Sequence, residues 1–238
     1  MEEDRSVFEI DLAHPTKSIS FGSEEDQVID LFLPPAGKKT LIILIHGGYW
    51  RPEYDRKHLS PFAKALSENG WPVALIEYRR IMGNPDAAIS DVKSSIQLLA
   101  KDFREIILVG HSAGGHLALV TAPEFNVKAV IAMAPLSDLQ RCEELDLDEG
   151  AVSDFLGTPA RMREDIDPMK LPALEIPTLL IHGALDIRVP ISFSREYVSK
   201  KANKYNRLLE FEDIGHFELI DPRHEKFMKI FQELLALD

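Results

Sequence analysis

A serine between two glycines is the side chain of this sequence best suited to covalent chemistry. Ser112 lies in Gly110-His-Ser-Ala-Gly114, after the apolar run 106–109 and before helical apolar spacing that begins at Leu117. The pattern Gly-x-Ser-x-Gly between a strand and a helix is typical of a serine held at a strained turn. The glycines remove side chains that would collide with the neighbouring strand and helix. We therefore predict that Ser112 is a nucleophile; the alternative is that it only caps an ordinary helix.

A serine nucleophile needs a base and an acid, because its hydroxyl is unreactive at neutral pH. Asp186 follows the apolar run 177–181, and His216 follows the apolar run 207–211. The carboxyl ends of parallel strands meet at one edge of a sheet, so we expect both side chains to reach Ser112. The chain order of serine, aspartate and histidine resembles the order of these residues in α/β-hydrolases.

Other titratable residues near these motifs are expected to be structural. Three acids close to His216 in the sequence are rivals of Asp186, but each would have to orient the histidine from its own loop: Asp213, Glu218 and Asp221. His46 and His182 also end apolar runs before glycines, and we expect His46 to hold its loop by hydrogen bonds. No spacing of histidine and acidic residues indicates a metal site, and we expect no cofactor.

The anion that forms when serine attacks a carbonyl needs fixed hydrogen-bond donors. The backbone N–H of Ala113, directly after the serine, is one candidate. Gly47 and Gly48 are the others, because backbone without side chains can approach an oxyanion closely. The sequence thus predicts an oxyanion hole formed by Gly47, Gly48 and Ala113.

Residues next to these motifs are candidates for the substrate pocket. Tyr49 and Trp50 directly follow the two glycines, and each could equally be a packing residue. Apolar residues elsewhere could line the same pocket: Phe155, Leu156, Ile187, Val189 and Phe217. Three arginines are candidates for binding a substrate carboxylate, although each could equally form a surface ion pair: Arg51, Arg79 and Arg80.

Alternating apolar runs and helical patterns predict a single α/β domain over residues 1–238. Strands are predicted at 7–10, 18–22, 28–33, 40–45, 72–78, 106–109, 127–133, 177–181 and 207–211. Helices are predicted at 58–69, 86–99, 192–201 and 222–235 and after Ser112. We expect a mostly parallel sheet of about eight strands with an antiparallel N-terminal edge. Residues 136–172 are longer than one crossover helix needs, which indicates either a small cap or decorated loops.

Composition excludes several classes of partner. The net charge of −12 disfavours nucleic acid and anionic membranes, and no apolar run approaches the roughly 20 residues of a membrane span.

The acidic start, residues 1–5, is not expected to be a signal peptide. The single cysteine, Cys142, suits a reducing compartment, so we expect a cytoplasmic protein. The sequence leaves open whether the chain is a monomer or a homodimer.

Two motifs carry a resemblance to a known family. The chain resembles α/β-hydrolases over nearly its whole length. The pair His46-Gly-Gly-Tyr-Trp50 and Gly110-His-Ser-Ala-Gly-Gly-His116 is similar to the esterase and arylformamidase (kynurenine formamidase) branch. The resemblance implies that Ser112, Asp186 and His216 are nucleophile, orienting acid and base. Carboxylesterases of the hormone-sensitive lipase type usually have a third small residue after the two glycines, whereas Tyr49 stands there in this chain.

These observations predict a cofactor-free serine hydrolase that cleaves a small carboxylic ester or N-formyl amide through an acyl-enzyme. A dedicated N-formylkynurenine formamidase is the alternative within the same chemistry. An alternative of another class is a ligand-binding protein that keeps the hydrolase scaffold without turnover.

Overall fold

Apolar runs rich in isoleucine, leucine and valine form the centre of one eight-stranded sheet. The computed structural model describes residues 3–237. Its strands are β1 (Lys17–Ser20), β2 (Val28–Phe32), β3 (Thr40–Ile45), β4 (Val73–Ile76), β5 (Glu105–His111), β6 (Ala129–Met133), β7 (Thr178–Gly183) and β8 (Asn206–Phe211). The α-helices within the described residues are α1 (Ser60–Glu68), α2 (Pro85–Leu99), α3 (Ala113–Thr121), α4 (Leu139–Glu144), α5 (Ala151–Leu156), α6 (Ser192–Lys200) and α7 (Lys226–Leu237).

The strand order is β1-β2-β4-β3-β5-β6-β7-β8. The hairpin of β1 and β2 pairs antiparallel, β2 also pairs antiparallel with β4, and all remaining pairs are parallel. This arrangement confirms the predicted α/β sheet with its antiparallel N-terminal edge. Every residue of β3, β4, β6 and β7 is buried, because helices and loops cover both faces of the sheet.

The N-terminal segment differs from its prediction. Residues 7–10 were expected to form a strand, but the structure has a 3-10 helix, Ser6–Glu9, that pairs with no strand. Val7 is buried, and the ring of Phe8 packs edge-on against that of Phe217, 4.9 Å between centroids. Burial of Val7 in the core and the ring contact of Phe8, which stays 38% exposed, favour this turn.

The boundaries of two helices also moved. The predicted helix 58–69 is a 3-10 turn, Arg56–Leu59, followed by α1, and the predicted helix 222–235 begins at Lys226.

Between β6 and β7, residues 136–172 carry α4, α5 and two 3-10 turns, Ala160–Met162 and Glu164–Ile166. A cap formed by this segment stays a prediction.

No helix within residues 3–237 is long and apolar enough to cross a membrane. The cytoplasmic location expected from composition stays a prediction. The expectation about a signal peptide falls partly on residues 1 and 2, which lie outside the described residues.

Candidate active site

Ser112 stands at a strained corner between β5 and α3. Its backbone has φ 55° and ψ −119°, a conformation that a residue with a side chain rarely adopts. Its N–H donates to the carbonyl of Met133 at the end of β6, 2.8 Å away. The serine is buried in the protein yet lines a cavity, so a strained and anchored backbone holds its side chain toward that cavity.

The flanking glycines are required because backbone segments cross closely at this corner. A Cβ added to Gly110 would lie 2.1 Å from the carbonyl oxygen of Gly114. A Cβ added to Gly114 would lie 2.1 Å from the carbonyl oxygen of Ile45, at the end of β3. Both contacts are with backbone atoms, which cannot rotate away. The pattern of glycines is thus explained by the approach of α3 to its own strand and to the neighbouring one.

Asp186 and His216 form a buried pair on the loops that follow β7 and β8. The Nδ1–H of His216 donates to Oδ2 of Asp186, 2.6 Å away. The other carboxylate oxygen accepts the N–H groups of Arg188 and Val189, each at 2.8 Å. Burial alone would raise the pKa of Asp186, but His216 and His182 outweigh it and hold the pKa well below its usual value. The carboxylate therefore stays ionised beside the histidine ring.

His182 contacts the acid, which sequence reasoning did not anticipate. Its Nδ1 lies 2.7 Å from Oγ of Ser194, and its Nε2 lies 2.8 Å from the carbonyl of Val189. The same Nε2 is 3.3 Å from Oδ2 of Asp186. His182 thus stabilises the loop that carries Asp186. Its position at the end of β7 was the signal available in the sequence.

His111, directly before the serine, fixes the loop that carries the base. Its Nε2–H donates to the backbone carbonyl of His216 at 3.1 Å, and the two rings lie 4.5 Å apart. Burial holds the pKa of His111 well below its usual value, and the nearby His216 lowers it further. A neutral His111 can donate to this carbonyl without placing a positive charge beside the ring of His216.

The loop of the two glycines packs directly against the serine. A Cβ added to Gly47 would lie 2.9 Å from Cβ of Ser112, and one added to Gly48 would lie 2.4 Å from Cβ of Tyr54. Gly48, Tyr49 and Trp50 all have positive φ angles, 107°, 49° and 55°. Gly47 thus lies against Ser112, and Ala113 directly after the serine begins α3. The roles of Gly47, Gly48 and Ala113 as oxyanion donors stay predictions.

A buried polar network holds this loop from below. Nε2 of His46 lies 2.7 Å from Oε1 of Glu77, and its Nδ1 lies 2.7 Å from the carbonyl of Gly47. The ring of Tyr78 stacks on His46 at 4.3 Å and its hydroxyl donates to the His46 carbonyl at 3.0 Å. Arg80 also bonds to Glu77. Burial alone would raise the pKa of Glu77, but His46 and Arg80 outweigh it and hold the pKa far below its usual value.

Glu77 was missed in the sequence because it reads as the end of an apolar strand. A lone glutamate directly after β4, 1% exposed in the structure, was the signal. Buried carboxylates are rare unless they are paired, so such a residue indicates a partner in the fold. That partner proves to be His46, which lies far from it in the sequence.

A cavity opens beside Ser112. Two of the predicted pocket residues, Tyr49 and Phe217, line it together with Gly48 and His216. Tyr49 is fixed by a hydrogen bond from its hydroxyl to the carbonyl of Arg188, 2.7 Å long. The other lining residues are Arg5, Phe8, Tyr54, His58, His111, Asp148 and Arg188, none of which was predicted for the pocket.

Five predicted pocket residues lie outside this cavity: Trp50, Phe155, Leu156, Ile187 and Val189. The ring of Trp50 stacks on Phe155 at 4.2 Å and meets His116 edge-on at 5.1 Å, all in the core. Trp50 and Phe155 therefore support the glycine loop from behind and do not reach its open face. Ile187 is 59% exposed and lines a neighbouring cavity that shares His216. Tyr49 thus lines the cavity, whereas the next residue, Trp50, packs in the core.

The arginines expected to bind a substrate carboxylate are already paired with acids. Their partners are Asp148 and Asp154 for Arg51, Asp91 for Arg79, and Glu77 and Asp26 for Arg80. None of the three lines the cavity beside Ser112. Within residues 3–237, no group of three or more histidine, cysteine or acidic side chains could hold a metal ion.

Comparison with known proteins gives consistent matches. The family model BD-FAE matches residues 29–201. Kynurenine formamidase of Danio rerio is 27% identical over 231 residues, which cover 85% of this chain and 75% of the relative. A probable isoprenylcysteine alpha-carbonyl methylesterase of Oryza sativa subsp. japonica is 23% identical and covers 93% of this chain and 63% of the relative. The structure of esterase B from Lactobacillus rhamnosis superposes with a TM-score of 0.77 at 19% identity, covering 95% of this chain and 86% of that one.

Proposed function

Because the chain belongs to the BD-FAE family and is an α/β-hydrolase of the esterase and arylformamidase type, we propose that it cleaves a small carboxylic ester or N-formyl amide with Ser112 as nucleophile. The observation that carries this proposal is the pair of His216 and Asp186, joined at 2.6 Å, beside the cavity that Ser112 lines. A base held in one orientation by an ionised acid is what a serine hydroxyl requires.

The reaction proceeds through an acyl-enzyme. Nε2 of His216 accepts the proton of Ser112 as Oγ attacks the substrate carbonyl, and Asp186 stabilises the imidazolium that results. The N–H groups of Gly47, Gly48 and Ala113 donate to the oxyanion of the tetrahedral intermediate. His216 then donates its proton to the leaving alcohol or amine as the carbon–oxygen or carbon–nitrogen bond breaks.

Water completes the cycle. It enters the site vacated by the leaving group, and His216 removes its proton as the oxygen attacks the acyl carbon. The second tetrahedral intermediate then collapses, and His216 returns the proton to Oγ of Ser112. The carboxylic acid is released, which is formic acid when the substrate is an N-formyl amide. No step requires a metal or an organic cofactor.

A dedicated N-formylkynurenine formamidase is the second candidate. It is favoured by the likeness to kynurenine formamidases of Danio rerio and Salmo salar, at 27% and 26% identity. The test compares kcat/KM for N-formylkynurenine with that for p-nitrophenyl acetate and p-nitrophenyl butyrate. A dedicated formamidase turns over the first far faster, whereas a general esterase prefers one of the other two.

The nucleophile is tested with a fluorophosphonate probe, which reacts with activated serines. We expect the wild-type protein to be labelled at Ser112 and Ser112→Ala to remain unlabelled. If the wild-type protein binds small esters but is neither labelled nor active, the ligand-binding alternative is correct and the hydrolase proposal is wrong.

A further inference from the structure

The N-terminal segment Glu3–Glu9 forms one wall of the cavity beside Ser112. Arg5 and Phe8 both line this cavity. Hydrogen bonds anchor the beginning of the segment, where the carboxylate of Glu3 accepts two from Arg188, at 2.8 and 2.9 Å. It is tied down again at Ser6, whose carbonyl accepts a hydrogen bond from Arg223 at 3.0 Å. The wall is thus attached to the loop of the catalytic acid and to the segment before α7.

Aromatic rings in this wall position the side chain of Arg5. Its guanidinium carbon lies 5.3 Å from the ring centroid of Phe8 and 5.6 Å from that of Phe217. Phe217 in turn meets the ring of His216 edge-on at 5.1 Å. A guanidinium at these distances is attracted by both ring faces. Arg5 is therefore held at the cavity mouth, one ring away from the catalytic base.

Glu3 and Asp148, acidic residues near the cavity, pair with arginines other than Arg5. Arg188 is paired with Glu3 and approaches Asp148 at 3.5 Å, and Asp148 is itself bonded by Arg51 at 2.8 Å. His58 is uncharged at neutral pH, since burial above all lowers its pKa to about 4. Arg5 lines the cavity beside Ser112. Among the residues that the structure describes, no carboxylate forms an ion pair with Arg5.

We propose that Arg5 binds a carboxylate of the substrate, so that the enzyme prefers esters or formamides whose acyl or leaving group is anionic. This inference rests on the proposed function and adds to it the class of substrate. The planar guanidinium offers a carboxylate paired donors, and the rings of Phe8 and Phe217 provide an apolar surface for the group that carries it. The net charge of −12 repels anions, and the positive charge of Arg5 offsets this repulsion at the cavity.

The test compares substrates that differ only in charge. One pair, para-acetoxybenzoate and para-acetoxybenzamide, places the charge on the leaving group. The other, the p-nitrophenyl esters of succinate and of succinamate, places it on the acyl group. We expect wild-type kcat/KM to favour the anionic member of at least one pair. In Arg5→Gln this ratio should fall about tenfold, as for loss of one partly exposed ion pair.

Arg104→Gln is the matched control, because it removes the same charge next to the opposite end of β5. The ratio should not change in this variant. Circular dichroism and the thermal midpoint establish that both variants are folded. An equal change of the ratio in both variants, or none in Arg5→Gln, overturns the role of Arg5.

Binding separates this inference from the proposed reaction. Calorimetry measures the affinities of benzoate and benzamide for Ser112→Ala, with and without Arg5→Gln, so that no turnover is involved. We expect Arg5→Gln to weaken benzoate about tenfold more than benzamide. If benzoate binding depends on Arg5 but the wild-type protein has no hydrolase activity, only the proposed reaction is refuted. Benzoate binding that is independent of Arg5, in an active enzyme, refutes only the inference.

Discussion

The carboxylate of Glu77 lies 2.7 Å from Nε2 of His46, at the base of the loop that presents Gly47 and Gly48 to Ser112. Both ring nitrogens of His46 face oxygen acceptors, Glu77 on one side and the carbonyl of Gly47 on the other. The ring therefore holds the loop in one orientation only while Glu77 accepts its hydrogen bond. This pair makes Glu77 a positioning residue for the expected oxyanion hole.

The first prediction concerns this positioning. Glu77→Gln keeps the shape of the side chain but weakens its bond to His46, so we expect kcat to fall about tenfold or more with little change in KM. The reason is that loss of a whole oxyanion donor costs about 10²–10³ in rate, and a loosened loop loses part of this. Glu210→Gln, which disturbs an exposed ion pair with Arg195, is the control. Equal kcat in the two folded variants would contradict the role of Glu77.

The second prediction separates chemistry from strain at Ser112. Ser112→Ala and Ser112→Gly should both abolish hydrolysis, because each removes the hydroxyl. Ser112→Gly should be the more stable of the two by about 1 kcal/mol, since glycine tolerates φ 55° and alanine does not. Urea unfolding followed by circular dichroism measures the difference. If Ser112→Ala is equally stable or more stable, the strain at this corner is not real.

The third prediction concerns the acid. Asp186→Asn keeps the volume of the side chain but offers His216 an amide, which favours the wrong ring tautomer. We expect kcat to fall by about 10⁴, as in other serine hydrolases with this change. Asp213→Asn, at an exposed rival acid, should leave kcat close to that of the wild type. Reversed effects would identify Asp213 as the orienting acid.

The fourth prediction is a pH dependence of stability. The pKa values of Asp186 and Glu77 are lowered in the folded protein from 3.8 and 4.5, so the unfolded chain binds more protons as the pH falls. The stabilisation by these carboxylates is therefore complete above those values and is lost below them. The free energy of unfolding in urea, measured between neutral pH and about pH 3, should fall less steeply in Glu77→Gln than in the wild type. Parallel curves would mean that folding does not lower the pKa of Glu77.

The fifth prediction tests the close packing of the serine corner. Gly114→Ala brings a Cβ to 2.1 Å from a backbone oxygen and should destabilise the protein by about 3 kcal/mol or more, or prevent folding. Gly70→Ala meets no atom within 4 Å and has only its φ of 90° against it, so about 1 kcal/mol is expected. Urea midpoints of the two variants test the order. Equal losses would show that the corner can relax.

The strands and the three proposed catalytic residues could be predicted because their signals are local. Apolar runs such as 40–45 mark buried strands wherever they lie in the chain, and β3 has those bounds in the structure. Ser112, Asp186 and His216 each follow such a run. Parallel strands of one sheet present their carboxyl ends together, so order along the chain was enough to place all three at one edge.

Most of the side chains that line the cavity were decided by the tertiary structure. Phe8 meets Phe217, and Glu3 meets Arg188 across 185 positions of the chain. No periodicity relates such pairs, because their proximity depends on how a short N-terminal turn docks on a finished sheet. The direction of Trp50 into the core has the same origin, since its partner Phe155 comes from the segment between β6 and β7. The sequence thus indicated the proposed reactive groups through local pattern, while long-range packing decided which side chains line the cavity beside Ser112.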